Sequence, residues 1–397
     1  MNIILFDDER RIHLLPLTYT RPCADLRIGI LTVREKWENY FQSKSSSLTE
    51  PYLQNKFPLH ITSDNLLVNG RILPDSALVK NLEKLEMGQA LVHEKIWIGA
   101  RLDERGIREY TPDSSSFRKV NYEGPVTSID NPWDIFSKNA EAIETDFNLL
   151  TSGRRSARLS KTNTLIGTRI FAEESAYAEC AILNSTTGAI YLGKDSEVME
   201  GSVVRGALAL CEHASLKLST KIYGATTVGP HSKVGGEVNN SVIIGYSNKG
   251  HDGFLGNSVI GEWCNLGADT NNSNLKNNYA EVKLWSYARK SFVHTGLQFC
   301  GLIMGDHSKS GINTMFNTGT VVGVSANIFG SGFPRNFIPS FSWGGAQGFE
   351  TFTLNKANEV AEKMMARRGI PYDEKEQSVM EHLYKLSAEY RVWENGG

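Results

Sequence analysis

The feature of the sequence that most constrains the fold is a period of six residues in its second half. Such a period fits neither an α-helix nor the simple alternation of a strand. It is typical of a hexapeptide parallel β-helix, in which each six residues form a short strand and a turn and the repeated aliphatic residue points into the core. The repeated positions are Leu192, Val198, Val204, Leu210, Leu216, Ile222, Val228 and Val234, then Phe254, Ile260 and Leu266, then Met304, Ser310, Phe316, Val322 and Ile328.

Two segments of this half depart from the period. Residues 271–301 interrupt it with a stretch that is polar at first, and long loops inside compact repeats are usually functional. Residues 355–393 contain two charged amphipathic patterns broken at Gly369, Ile370 and Pro371. We expect a protruding loop at the first segment. At the second we expect two helices that cap the open end of the coil, which otherwise exposes unpaired backbone groups.

The first part of the chain has a different pattern. Residues 2–6, 65–73 and 89–98 have the apolar runs of strands, and residues 28–41 and 76–87 have apolar positions at helical spacing. Alternating strand and helix patterns predict an α/β domain.

A further helix is predicted over residues 132–150. Pro132 suits the first helical position and Asn131 is a plausible cap. We expect this helix to link the two halves. The predicted regions are an α/β domain at 1–130, a linker helix at 131–158, a β-helix at 159–345 and a helical tail at 346–397.

Composition excludes several classes of protein. The 42 basic and 44 acidic residues give a net charge of −2, which is not the electrostatic footprint of a nucleic-acid binder. No run of 18 apolar residues predicts a membrane span, and the start MNIILFDDERR has no signal-peptide pattern. The 5 cysteines form no CxxC pair. We therefore expect a cytoplasmic protein with reduced thiols, without nucleic-acid or membrane partners.

Two stretches of the coil carry a specific resemblance. They are KGHDGFLGNSVIGEWCNLGADTNNSNLKNNYAEVK (249–283) and TGLQFCGLIMGDHSKSGINTMFNTGTVVG (295–323). They resemble the acyltransferase domain of the bifunctional UDP-N-acetylglucosamine pyrophosphorylase/glucosamine-1-phosphate N-acetyltransferase family. The resemblance covers about residues 220–330 and implies that the β-helix is left-handed and the protein a homotrimer. It also implies that sites lie in clefts between coils, with the 271–301 loop reaching a neighbour.

The resemblance also implies roles for individual residues. His251 falls on the catalytic histidine, and Asn274 is assigned with it to the active site. The substrate positions are Lys283, Phe254, Asn265 and Lys221, and the coenzyme A positions are Ala268 and Ile312. Independently of the resemblance, Arg335, which follows Pro334 near the end of the coil, is a candidate partner of a coenzyme A phosphate, with an exposed surface arginine as the alternative. Phe254 stands where the family usually has a tyrosine, and Asn239 where one branch has a lysine.

The chemistry of these residue types fits the implied reaction. N-acetyl transfer needs an unprotonated amine, and a histidine such as His251 is the side chain best suited to accept that proton near neutral pH. A lysine such as Lys283 can neutralise a sugar phosphate, while Asn274 orients the sugar or the histidine. The alternative for each is a solvated turn or loop residue, and for Ala268 and Ile312 it is ordinary packing in the repeat.

The N-terminal half resembles the nucleotidyltransferase domain of the same enzymes, over 14–37, 67–75 and 128–139. It departs from that domain at three points. FDDERRIH replaces the glycine-rich phosphate loop, Cys23 replaces the signature lysine, and Arg71 stands where a metal-binding aspartate is expected. Without that loop, the phosphate contacts are expected from Arg10, Arg11, Arg21 and Lys36. Mg²⁺ ligands are expected from Asp7 and Asp8, together with Asp25.

The resulting hypothesis is an enzyme of sugar-nucleotide biosynthesis. Its fold class is α/β plus β: a shortened Rossmann-like nucleotidyltransferase domain, then the left-handed β-helix and C-terminal helices. The reaction is acetyl-CoA-dependent N-acetylation of an amino-sugar 1-phosphate, glucosamine 1-phosphate first, with uridylyl or thymidylyl transfer by the N-terminal domain if that domain is active with Mg²⁺. Two alternatives stay open: a sugar-1-phosphate nucleotidyltransferase whose coil only trimerises it, and a catalytically silent sugar-nucleotide-binding protein.

Overall fold

The structure is a computed structural model that describes residues 1–110 and 117–395. The chain forms two compact units. The first contains Met1–Leu14, Thr20–Leu26 and Leu31–Asp130, and the second contains Leu15–Tyr19, Arg27–Ile30 and Asn131–Gly397. In the described parts of the chain, no helix is both long and apolar enough to cross a membrane.

The first unit is built on a mixed sheet. Its strands are β1 Asn2–Phe6, β2 Ser45–Leu48, β3 Asn65–Asn69, β4 Ile72–Leu73, β5 Gln89–His93, β6 Ile96–Leu102, β7 Arg118–Asn121 and β8 Thr127–Ser128. Six of them form one sheet with the order β2-β1-β3-β6-β5-β7. Parallel pairs join β1 to β2 and β3, and β5 to β7, whereas β6 is antiparallel to β3 and β5. A small antiparallel pair joins β4 to β8.

Three α-helices accompany this sheet: α1 Val33–Phe41, α2 Ser76–Glu83 and α3 Glu104–Arg108. Short 3-10 helices cover Glu9–Leu14 and Cys23–Asp25. Helix α1 begins later than the predicted 28–41, because Thr32 and Glu35 form a capping box at its start. The predicted strand 89–98 is instead a hairpin of β5 and β6.

The predicted linker helix is two helices, α4 Pro132–Ser137 and α5 Asn139–Thr151. Asn131 is the cap of α4, and its backbone N–H donates to the Asp134 carboxylate at 3.0 Å. Asn139, the first residue of α5, has a fully buried side chain. Its Oδ1 accepts a hydrogen bond from the Gly29 N–H at 2.7 Å, and its Nδ2 donates to the Ala225 carbonyl at 3.0 Å.

The second unit is dominated by a β-helix of three parallel sheets. Sheet I contains Ile170–Ala172, Ile190–Leu192, Leu208–Leu210, Thr226–Val228, Val242–Gly245, Val259–Glu262, Leu302–Met304, Thr320–Val322 and Phe337–Ile338. Sheet II contains Tyr177–Ala178, Glu197–Val198, Ser215–Leu216, Lys233–Val234, Asn248–Lys249, Asn265–Leu266, Lys309–Ser310, Asn327–Ile328 and Ser342–Gly345, with Gly348–Thr351 antiparallel at its end. Sheet III contains Thr164–Ile166, Ile182–Asn184, Val203–Arg205, Lys221–Tyr223, Glu237–Asn239 and Phe254–Gly256, and the pair Asn271–Asn272 and Met315–Phe316 follows it.

The aliphatic residues of the six-residue period form the core of this coil. Every position from Leu192 to Val234 in the predicted series is at most 1% exposed and packs in one hydrophobic cluster. One position was wrong: Leu255, not Phe254, points inward, because Leu255 pairs with the core residue Val238 while Phe254 pairs with the outward Glu237. The α/β-plus-β-helix fold class is confirmed. The left hand of the coil stays a prediction from the resemblance.

The segment that interrupts the coil is partly ordered structure. Lys283–Ser286 and Ser291–His294 form an antiparallel hairpin within it. The tail contains the two predicted helices, α6 Leu354–Ala366 and α7 Glu374–Leu386, followed by 3-10 turns at Ala388–Tyr390 and Val392–Asn395. Helix α6 contributes Met364 to a cavity that Trp263 of the coil also lines, so it lies along the coil as well as near its end.

Candidate functional site

The candidate catalytic histidine lies on a turn of the coil. His251 stands between Asn248–Lys249 of sheet II and Phe254–Gly256 of sheet III, and its side chain is exposed. Its backbone carbonyl accepts a hydrogen bond from the Lys249 ammonium at 2.6 Å. The imidazole is therefore accessible on a turn whose backbone is held from inside the coil.

Two candidate coenzyme A positions occupy the equivalent turns of the next rungs. The Asp269 N–H donates to the Asp252 carbonyl at 3.1 Å, and the Asn313 N–H donates to the Ala268 carbonyl at 2.8 Å. His251, Ala268 and Ile312 thus form one edge of the coil, which we call the histidine edge, at the rung spacing of about 4.8 Å. Ile312 is 71% exposed, so this edge is open along its length.

Sheet III turns several of the substrate candidates to one face. Lys221 and Phe254 occupy the same outward column, with Glu237 on the strand between them. The Phe254 ring and the Asn274 amide both lie against Gly256, where an added Cβ would be 2.5 Å from Phe254 Cζ and 2.7 Å from Asn274 Nδ2. Only a glycine leaves room for both side chains at this point.

The interrupting segment is tied to the strand that follows His251. Asn271 Oδ1 accepts from the Phe254 N–H at 2.8 Å, and Asn272 Oδ1 accepts from the Gly256 N–H at 2.9 Å. The Asn274 Nδ2 donates to Asn257 Oδ1 at 2.8 Å. A run of asparagines therefore fixes the start of the segment, and Asn274 with it, beside the far end of this strand.

Lys283 is not brought to His251 within one chain. It begins the hairpin, is exposed, and its carbonyl oxygen would lie 2.6 Å from a Cβ on Gly319. Gly319 lies on the turn from sheet III to sheet I, whereas His251 lies on the turn from sheet II to sheet III. The width of a three-residue strand, about 10 Å, separates these turns.

Two further candidates lie away from the histidine edge. Asn265 is on sheet II, in register with Asn248 and Lys309, and lines a cavity with them. Arg335 lines another cavity, of about 810 Å³, with Trp285 and Phe337. Neither residue lies on sheet III, the sheet that carries Phe254.

The structure adds a residue that the sequence reasoning missed. Lys249 is 3% exposed and occupies an interior position of sheet II, in register with the core residue Val234. Burial lowers its pKa to about 8, although Asp252 and Asp269 favour the charged form. The signal was present in the sequence, since Lys249 is six residues after Ile243 and six before Leu255, which are both core positions.

In the first unit, the Asp7 carboxylate is fully engaged by protein groups. It accepts from the Cys23 N–H at 2.8 Å and from Thr49 Oγ1 at 2.5 Å, and it pairs with Arg11 at 3.2 Å. Burial raises the pKa of Asp7 and outweighs the effect of Arg11. Arg11 also donates to the Tyr52 hydroxyl at 3.0 Å.

The Asp8 carboxylate is also neutralised by an arginine of this chain. Arg71 Nε lies 2.8 Å from Asp8 Oδ2, and its guanidinium also pairs with Asp130. Asp8 further accepts from Asn69 Nδ2 at 2.9 Å. Asp25 is held in the same manner by Arg34 at 2.7 Å. Each expected Mg²⁺ ligand is therefore paired with an arginine, and these residues do not fit a divalent cation.

The remaining phosphate candidates differ in exposure. Arg21 and Lys36 are 5% and 4% exposed, so neither presents its charge to solvent. Arg10 is exposed on the 3-10 helix Glu9–Leu14, the structure adopted where the family has a glycine-rich loop. Of the four candidates, Arg10 alone is placed to meet a ligand without rearrangement.

Comparison with known proteins agrees with this organisation. Residues 3–155 match the family described as sugar nucleotidyl transferase. A bifunctional sugar-1-phosphate nucleotidylyltransferase/acetyltransferase of Sulfurisphaera tokodaii is 28% identical over 57% of this chain and 52% of that protein. A bifunctional protein GlmU of Methanocaldococcus jannaschii is 26% identical over 56% of this chain and 50% of that protein. The chain thus spans about half the length of these curated relatives.

Among solved structures, an Arabidopsis UDP-N-acetylglucosamine acyltransferase is 14% identical, covering 59% of this chain and 81% of that one, with a TM-score of 0.28. A score at that level does not by itself establish a shared fold.

The fold and the two candidate sites define a class of transferases that join a nucleotidyltransferase-like α/β domain to a hexapeptide-repeat β-helix. Within it, residues 3–155 match the sugar nucleotidyl transferase family, and the chain is similar to bifunctional sugar-1-phosphate nucleotidylyltransferase/acetyltransferases, as the resemblance in the sequence implied.

Proposed function

We propose that this chain is an enzyme of sugar-nucleotide biosynthesis that transfers an acetyl group from acetyl-CoA to the amine of an amino-sugar 1-phosphate, glucosamine 1-phosphate first. The observation that carries the proposal is the histidine edge, where an exposed histidine and both turn positions assigned to coenzyme A share one side of the coil. The relatives named as acetyltransferases support the same reaction.

The residues of the site divide the reaction between them. The amine nitrogen attacks the thioester carbon, the carbon–sulfur bond breaks, and His251 takes the amine proton and returns one to the leaving thiolate. Lys249, by its bond to the His251 carbonyl, fixes the turn. Lys283 neutralises the sugar phosphate and Asn274 orients the sugar, both from the interrupting segment.

The separation of Lys283 from His251 favours a site completed by a second copy of the chain. Sheet III carries outward apolar residues, Ile166, Ile182 and Val203, that are 40%, 40% and 44% exposed. Exposed apolar side chains on a flat sheet face are typical of an association surface. We therefore propose a cytoplasmic homotrimer whose sites combine the histidine edge of one copy with the interrupting segment of the next.

We expect nucleotidyl transfer to be slow or absent, because arginines neutralise each expected Mg²⁺ ligand in the first unit. If the domain is active, the family that the sequence resembles implies UTP or dTTP as the nucleotide. A nucleotidyltransferase with a merely trimerising coil is thus the second candidate.

Two product assays on the full chain test the proposal. The first follows thiol release from acetyl-CoA with glucosamine 1-phosphate, with a blank that omits the sugar. The second follows pyrophosphate release from UTP or dTTP with Mg²⁺ and N-acetylglucosamine 1-phosphate, without acetyl-CoA. Sugar-dependent thiol release supports the proposal, pyrophosphate release alone favours the second candidate, and neither product favours a silent binding protein.

A further inference from the structure

A cavity of about 560 Å³ lies between sheet II and α6, away from the histidine edge. The coil contributes Lys233 and Lys309 to it, and the end of α6 contributes Arg367 and Arg368. Of the residues that the structure describes, no acidic one lines it. The resemblance gives no role to any of these four cations. It does give a role to Asn265, which also lines the cavity.

None of the four cations is paired with a carboxylate of the described residues. Among the described residues, the side chains of Lys233, Arg367 and Arg368 make no ion pair within 4.0 Å. Cations at the end of a helix are favoured by its dipole, which accounts for the two arginines. The helix dipole does not account for the two lysines of the coil that line the same cavity.

The fourth cation, Lys309, gives the stronger indication of an anion site. Lys309 is largely buried, and its ammonium donates to the His307 carbonyl at 2.7 Å, with no carboxylate of the described residues within 4.0 Å. An ammonium has three donors, and a buried cation without a counter-ion is costly. Burial accordingly lowers its pKa to about 8. An anion in the cavity would supply the missing charge and acceptors.

The coil also contributes two stacked rings and two amides to the lining. Trp263 stacks on Tyr246 with ring centroids 4.4 Å apart, in a ladder of rings on one turn of the coil. Asn248 donates to Asn265 at 3.4 Å, and Asn248 Oδ1 is buried without a partner. This side of the cavity can therefore hold a polar group without rearranging.

We propose that this cavity binds the phosphate or diphosphate group of a small molecule. Its volume suits a small ligand, and converging cations without acids are the chemistry that recognises such groups. A nucleic acid is disfavoured by the net charge of −2.

Isothermal titration of the full chain with pyrophosphate, in EDTA at low ionic strength, tests the proposal. The test variant is the double substitution Arg367→Gln and Arg368→Gln, and the control is Lys363→Gln, an exposed lysine on the same helix that pairs with Glu359. We expect saturable binding in the wild type and control, and at least a ten-fold loss of affinity in the double variant. Lys233→Gln, on the coil side, should weaken binding independently of any effect on α6.

The proposal is overturned if pyrophosphate gives no saturable binding up to millimolar concentration, or if the double variant and Lys233→Gln both bind as the control does. Parallel titrations with coenzyme A and with UTP identify the source of the group. The molecule whose affinity falls most in the double variant relative to the control is the one that the cavity takes.

Discussion

At the scale of single residues, Lys249 is the least expected feature of the coil. Its neighbours in the interior column are aliphatic, yet its ammonium is inside and bonds the backbone of the turn that carries His251. An aliphatic residue would pack there at lower cost. Lys249 therefore lowers the stability of the coil but holds the turn that carries His251 in one conformation.

The cost of burying Lys249 should appear in the pH dependence of stability. Because its folded pKa of about 8 is below the value of 10.5 for a free lysine, the unfolded chain binds more protons between these pH values. Native stability should thus rise with pH over this interval. Lys249→Met should be more stable than the wild type at pH 7, by up to about 3 kcal/mol, and this difference should fall below about 1 kcal/mol at pH 10.

Denaturant unfolding at pH 7 and pH 10 measures this effect. Lys233→Met, on the outward side of the preceding rung, serves as the control and should show little pH-dependent difference. A Lys249→Met variant that is equally destabilised at both pH values would show that the lysine is neutral or well compensated in the core.

At the scale of elements, the coil is held by its interior columns. Leu210 is fully buried at the end of its sheet I strand. Leu210→Ala should lower the free energy of unfolding by about 2–5 kcal/mol, because the rungs above and below cannot close the cavity. Leu218→Ala, at a residue 62% exposed, should change it by no more than about 0.5 kcal/mol. Denaturant midpoints of the two variants check this, and equal midpoints would contradict the core assignment.

The sequence predicted the coil because its period is local and repeated, so that Leu192 through Val234 could be placed without tertiary information. It could not predict where the period slips. The steps from Val234 to Val238 and from Val238 to Ile243 are four and five residues, so Lys249 falls outside the phase that Val234 sets. The step from Leu255 to Ile260 is also five residues, so counting six residues back from Ile260 gives Phe254 instead of Leu255.

The candidate site was less accessible to sequence reasoning, because it depends on partners distant in the chain. The mismatch at Arg71 was visible, but its pairing with Asp8 and Asp130 follows from the sheet, which brings together residues 63 and 59 positions apart. Likewise, the distance between Lys283 and His251 depends on which turn of the coil the hairpin of residues 283–294 packs against.

At the scale of the whole molecule, the proposed active sites are shared between copies of the chain. We expect a trimer by light scattering at micromolar concentration. We also expect His251→Ala and Lys283→Ala chains, each impaired alone at low sugar phosphate, to recover activity when co-expressed. Each mixed trimer has one site in three that combines an intact histidine with an intact lysine from the next copy, which is about a quarter of all sites when equal amounts of the two chains assemble at random.

Separate expression and mixing of the purified homotrimers, without exchange of chains, is the control for this complementation. If both residues act within one chain, no mixture contains an intact site. A mass of one chain, or co-expressed variants as inactive as the separate ones, would contradict the shared site.

The most direct test of the central claim is the acetyl-transfer rate of His251→Ala with acetyl-CoA and glucosamine 1-phosphate. Loss of a general base should lower kcat by about 10²–10⁴, with the trimer and the thermal midpoint unchanged because the side chain is exposed on a turn. His213→Ala, at another exposed turn histidine of the coil, should keep the wild-type rate. A His251→Ala enzyme that turns over as fast as the wild type would contradict the assignment of the histidine edge as the site of acetyl transfer.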